Sequence, residues 1–180
     1  MKKIIGILLT LCLLFALCGC NALERATSAL QPKEAVFAVN GYPLQLTADT
    51  TFQEKTGGSF DLQITNDRCY ISVMAYQYSD LPQDVTPQDV YTIQNEDLLG
   101  KRDNVTALEA IKSQTIPGCN ISYEMYSAEK DGVENHYATY LMDFPDSRIC
   151  AWVLITAAPS YMTKNRETLH NIACTLSPAE

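Results

Sequence analysis

The sequence predicts an α+β domain carried behind an export leader, and three stretches predict its fold. Residues 36–46 place Asn40-Gly41 between two short segments, a hairpin signal, because both residue types tolerate the positive φ of a type I′ turn. Residues 121–158 read as a three-strand meander: Ile121 to Ala128, a turn at Asp131-Gly132, Val133 to Phe144, a turn at Pro145-Asp146-Ser147, then Arg148 to Ala158, almost wholly apolar around Trp152. In Tyr161 to Leu176, Leu169, Ile172, Ala173 and Leu176 share one face at helical period, with Ser160 as the expected N-cap. Cys174 falls off that stripe.

The elements between follow from the same rules. Residues 52–55 and 59–65 flank Gly57-Gly58, and Asn66-Asp67-Arg68 turns the chain into Cys69 to Tyr78. There Cys69, Ile71, Val73 and Ala75 alternate with Tyr70, Ser72, Met74 and Tyr76, so both faces hold apolar groups and the strand is expected to be covered on both sides. A helix follows, with Thr86 as N-cap, Pro87 in the first turn, Asp89 at the positive end and Gly100 as the stop. Its expected stripe is Val90, Ile93, Asp97 and Leu98. Residues 105–115 read two ways. Ala107 to Lys112 favours helix by propensity, yet the stretch lies between Asn104 and Pro117-Gly118.

The leader is Met1-Lys2-Lys3 followed by the uncharged run Ile4 to Leu17. A run of that length suits a secretory core of ~7–15 residues and is too short to span a bilayer as a helix. It ends in Leu17-Cys18-Gly19-Cys20, which resembles the lipobox of bacterial lipoproteins. The resemblance implies cleavage after Gly19 and acylation of Cys20 with chains such as palmitate, a stable anchor when more than one chain inserts. The expected organisation is a leader over 1–19, a lipidated tether over 20–34 and one domain over 35–180, held on the outward face of the cell membrane.

Charge and cysteine usage narrow the function. The chain carries a formal charge of −8; the leader removes Lys2 and Lys3, leaving 11 of the 13 basic residues against 21 acidic ones, or −10. Such a domain repels phosphate backbones, which excludes nucleic acid as the expected partner. Of seven cysteines, Cys69, Cys119, Cys150 and Cys174 belong to the mature domain. Their spacing contains no CxxC, each lies in an apolar run, and an exported domain can pair four cysteines in three ways.

The order hairpin, strands, helix, meander and terminal helix resembles the PsbP-like fold, shared by the photosystem II subunit PsbP and the Ran-binding Mog protein. The residues that carry the resemblance are Tyr126 to Val133 (YSAEKDGV), Phe144-Pro145-Asp146-Ser147, Ala151-Trp152-Val153-Leu154, Pro159-Ser160-Tyr161 and Lys164-Asn165-Arg166-Glu167. These patterns are similar to small lipoproteins of unknown function. The resemblance covers about residues 36–176 and implies an α/β/α sandwich around a mostly antiparallel sheet, with residues 105–115 extended. It implies no shared activity, because a fold does not set a function.

Motifs for catalysis are absent from the sequence. There is no Gly-rich phosphate loop, no Gly-x-Ser-x-Gly and no HExxH, and the two histidines, His136 and His170, stand far apart. No metal and no cofactor are therefore expected, and no enzyme. The unusual feature is ten tyrosines, all beyond Cys20. Tyrosine combines large apolar area with a polar tip and suits interfaces. Tyr70, Tyr76 and Tyr78 are the candidate binding surface, while Tyr123, Tyr126, Tyr137 and Tyr140 lie in the meander. The expected function is a non-enzymatic binding or accessory domain for an envelope protein or small ligand. A structural spacer comes second and a cell-wall-acting enzyme third.

Overall fold

The apolar run around Trp152 takes the middle of a sheet and organises what surrounds it. The computed structural model describes residues 33–179. The leader, Cys20 and the tether up to Pro32 lie outside the described residues. Within them the chain forms β1 Glu34–Ala38, β2 Leu44–Asp49, β3 Gln53–Glu54, β4 Leu62–Thr65, β5 Cys69–Gln77, helix α1 Pro87–Leu99, β6 Asp103–Ile116, β7 Cys119–Lys130, β8 Val133–Phe144, β9 Ile149–Ala157, helix α2 Pro159–Ala173 and β10 Ser177–Pro178. Residues 105–115 are extended, within β6.

Seven strands form one sheet in the order β3-β4-β5-β9-β8-β7-β6, and β1-β2-β10 form a second. Every pairing is antiparallel. β9 is the central strand and is buried at every position except Thr156. Its alternate residues belong to two cores. Ala151, Val153, Ile155 and Ala157 join Met162, Leu169 and Ile172 of α2 and Leu44 and Leu46 of β2. Cys150, Trp152 and Leu154 join Tyr91 and Leu98 of α1. The large sheet therefore lies between α1 on one side and α2 with the small sheet on the other, the expected sandwich.

Turn chemistry sets the register. Asp131 and Gly132 both take positive φ, 54° and 76°, so this two-residue loop is the type I′ turn, and Lys130 pairs with Val133. The opening hairpin differs from expectation. Only Gly41 takes positive φ, at 79°. Asn40 instead donates its N–H to the Asp61 carbonyl at 3.0 Å, and Tyr42 N–H bonds the Val39 carbonyl at 3.2 Å. That tertiary hydrogen bond and Pro43, which has no N–H to give to a ladder, favour a wider loop.

Helix α1 begins as expected: Thr86 accepts from the Asp89 N–H, and the Asp89 carboxylate accepts from the Thr86 N–H, a reciprocal cap. Its buried face is Val90, Tyr91, Asn95 and Leu98, whereas the expected stripe residue Ile93 is 53% exposed and Asp97 pairs with Lys101 in solvent. The correction has a polar cause. Asn95 Oδ1 accepts from Trp152 Nε1 at 2.8 Å, its Nδ2 donates to Glu124 at 2.7 Å, and the Tyr91 hydroxyl bonds Thr139. Hydrogen-bonding groups of α1 turn inward because the sheet offers them partners. Helix α2 is also shifted: its N-cap is Ala158 with Pro159 in the first turn, not Ser160, and it ends at Ala173 rather than Leu176. The residues after it are drawn to β2, where Ser177 pairs with Gln45 and Thr175 bonds Thr47.

Replacing Asn95 tests the polar anchor. Asn95→Leu leaves the Trp152 indole N–H and the Glu124 carboxylate without their partner, a cost of about 1–3 kcal/mol for a buried unpaired group. Urea unfolding followed by Trp152 fluorescence is expected to show that loss as a lower midpoint at an unchanged slope.

Candidate functional site

Parity in the β7–β8 hairpin sorts the meander tyrosines between the two faces. Tyr126 pairs with Tyr137 on the α1 side, and Tyr123 pairs with Tyr140 on the α2 side. The rings of Tyr123 and Tyr140 stack at 5.5 Å between centroids and 19° between planes. Helix α2 lays His170 against both, at 4.9 and 5.7 Å. The three rings line part of a cleft of about 410 Å³ between α2 and strands β6–β8, whose depth is formed by Met125, Ala138, Met162 and Leu169.

Charged groups rim this cleft. Glu109 of β6 accepts from Arg166 of α2 and, at 3.2 Å, from Lys112. Burial alone would raise the Glu109 carboxyl, and the two cations overcome it and hold it below the usual range. Lys164 and Glu167 complete the rim from α2. Burial, then the positive charges of Arg166 and Lys112, push His170 below its ordinary 6.5, so it is neutral at pH 7. Burial raises the Tyr140 hydroxyl well above 10, so it stays protonated. The floor is thus neutral and aromatic and the rim is charged. That arrangement is able to receive a ligand. The Cys174 thiol does lie 3.6 Å from His170 Nε2 and from Gln114 Nε2, but burial raises its pKa instead of lowering it.

The sequence-predicted site residues lie elsewhere. Cys20 is outside the described residues. Tyr70, on β5, is 42% exposed with the Lys55 ammonium 5.2 Å from its ring. Tyr76 is half-buried, and its hydroxyl is buried with no hydrogen-bond partner among the described residues. Tyr78 is beyond the strand, in a single 3₁₀ turn, where it donates to Asp143 and lies beneath Arg148. Tyr76 and Tyr78 both pack against the α1-side core. Among the described residues the four cysteines of the domain form no disulfide with one another. Burial raises Cys69 and Cys119 to about 12 and Cys150 to about 11. His136 is 4.0 Å from Glu134. Among the described residues no cluster of three or more His, Cys, Asp or Glu side chains could hold a metal, and no helix is long and apolar enough to cross a membrane.

A signal for the cleft was present in the sequence. A two-residue turn at Asp131-Gly132 pairs each residue with the one equally far on the other side, which places Tyr123 opposite Tyr140. His170 and Arg166 join them only because α2 crosses that face.

The fold is PsbP/Mog-like. The cyanobacterial PsbP of Synechocystis sp. PCC 6803 superposes with a TM-score of 0.59 at 11% identity, covering 82% of this chain and 93% of that one. The Ran-binding protein Mog1p of Saccharomyces cerevisiae gives 0.57 at 9%, covering 83% and 97%. LpqN, a protein involved in cell envelope biogenesis of Mycobacterium tuberculosis, gives 0.54 at 14%, covering 81% and 89%. No protein-family model matches the chain, and no curated protein matches its sequence. At these identities the likeness concerns the fold alone.

His170 supplies a pH test of the cleft. A histidine with a lowered folded pKa costs stability as pH falls below its unfolded value of 6.5, since the unfolded chain takes up the proton more readily. The charged and titratable groups around it are Lys112, Glu109, Tyr123, Tyr140, Arg166 and Cys174. Melting temperature is expected to fall from pH 7 to pH 5, and His170→Asn is expected to flatten that slope. An unchanged slope would place His170 in an environment without net effect on its proton.

Proposed function

We propose that this chain is an outward-facing, lipid-anchored domain that binds a small ligand without turning it over, and that the cleft beneath α2 is its binding site. The observation that carries the reading is the aromatic floor of Tyr123, Tyr140 and His170 set in a concave site with an apolar depth and a charged edge, an anatomy suited to a ligand with both apolar and polar parts. The raised Cys174 thiol, which disfavours a reactive thiolate, supports binding over thiol catalysis. An envelope setting draws support from the lipobox at Leu17 to Cys20 and from the fold shared with LpqN.

A protein-docking role for Tyr70, Tyr76 and Tyr78 is the second reading. Tyr70 favours it, as a large exposed aromatic on β5. Partner capture lost in Tyr70→Ala and kept in a cleft variant would bring this reading forward.

Two measurements test the proposal. Expressed in a bacterium fed radiolabelled palmitate, the full chain is expected to take up label and pellet with membranes, and Cys20→Ser is expected to abolish both. For the cleft, the mature chain is exposed to a total envelope extract and examined by native mass spectrometry. Wild type is expected to retain a small-molecule adduct. Thr163→Trp, a bulky change at an exposed rim position, is expected to lose it at an unchanged melting temperature. An adduct equally abundant on both would remove the cleft from the proposal.

A further inference from the structure

Resting on the cleft as a binding site, we infer that its ligand is an organic anion: a planar or aromatic body carrying an acidic group. The body lies against Tyr123, Tyr140 and His170, and the acidic group meets Arg166 and Lys164.

Charge at the cleft argues for an anion. The chain as a whole has a formal charge of −8; the cleft is lined by Lys164 and Arg166 with Glu109, Glu124 and Glu167, and Lys112 stands beside Glu109. Cations and carboxylates are thus even in number here, where the molecule is acidic, and Glu124 gives its carboxylate to Asn95 of α1. Glu109 is already engaged by both Arg166 and Lys112, so it has little left to offer a cationic ligand. Arg166 has the opposite standing. A guanidinium carries five N–H donors, more than one carboxylate can accept, and the Arg166 side chain is 47% exposed at the mouth. Lys164 is exposed and makes no ion pair among the described residues. Two cationic donors thus remain open to a ligand. His170 reports the same sign of field, since Arg166 and Lys112 both disfavour its protonation.

Shape argues for the planar body. The stacked tyrosines and the neutral imidazole present ring faces, which pack well on another flat ring. Below them the cleft is lined by the apolar side chains of Met125, Ala138, Ile155, Met162 and Leu169.

Anilinonaphthalene sulfonate and phenylnaphthylamine are the probes, because they share one aromatic framework and differ in the sulfonate. Fluorescence titration uses the mature chain carrying Cys20→Ser, free of lipid and detergent. The sulfonate is expected to bind about tenfold or more tighter, the worth of a hydrogen bond to a charged group. Lys164→Gln combined with Arg166→Gln is expected to remove that advantage and leave phenylnaphthylamine unchanged. Thr163→Trp is expected to block both probes. Circular dichroism melts show that each variant is folded. Equal affinity for the two probes, with both blocked by Thr163→Trp, would overturn the anion and keep the cleft. Binding of both probes untouched by Thr163→Trp, or no binding of either, would overturn the cleft reading together with the anion.

Discussion

Burial of β9 on both faces is the constraint on which the rest of the structure depends. A strand covered on both sides needs a packed layer on each, and it needs paired neighbours for its backbone groups. β5 and β8 supply the pairing along its full length, from Ile149 to Ala157. The two helices and the small sheet supply the cover. Removal of either layer would expose Trp152 and Leu154 on one side or Val153 and Ile155 on the other. Hydrophobic burial on this scale outweighs local helix and strand preference, so each flanking element is placed by what β9 requires.

The two cover layers are held by different physics. The α1 layer is fastened by a polar network in which Asn95 joins the Trp152 indole to Glu124, and Tyr91 joins Thr139. Such bonds need defined geometry and fix the helix in rotation and translation. The α2 layer packs through Met162, Leu169 and Ile172 with apolar contacts alone in its depth. Its polar contacts lie at the margin, where Arg166 meets Glu109 and where His170 and Cys174 meet Gln114. The cleft with the aromatic floor opens beside this layer. Its floor is neutral, since burial works against charge on His170 and on Tyr140. Its rim is charged, since those side chains keep access to water.

Residues near in sequence led to the elements, and residues distant in sequence led to the site. The capping pair Thr86 and Asp89, the turn Asp131-Gly132 and the apolar run of β9 each act through neighbours a few positions away, and each was legible. The expected stripe of α1 missed because it ranked Ile93 above Asn95 by hydrophobicity, and the hydrogen-bond partners of Asn95 lie 29 and 57 positions along the chain. Residues 105–115 resolved the same way. Their helical propensity is real, but pairing with β7 satisfies the backbone of a long edge strand, and register shifts along it absorb the mismatch.

By itself the sequence determined the α+β class, the meander and its register, and the resemblance of Leu17 to Cys20 to a lipidation signal, because each is written in local chemistry or period. Tertiary structure alone decided which tyrosines share a face with His170. It also set Arg166 and Lys112 around one carboxylate, and Cys174 beside an imidazole. The physical reason is that a helix crossing a sheet joins residues through the angle and height of its packing, and those are outcomes of how the whole core fills its volume.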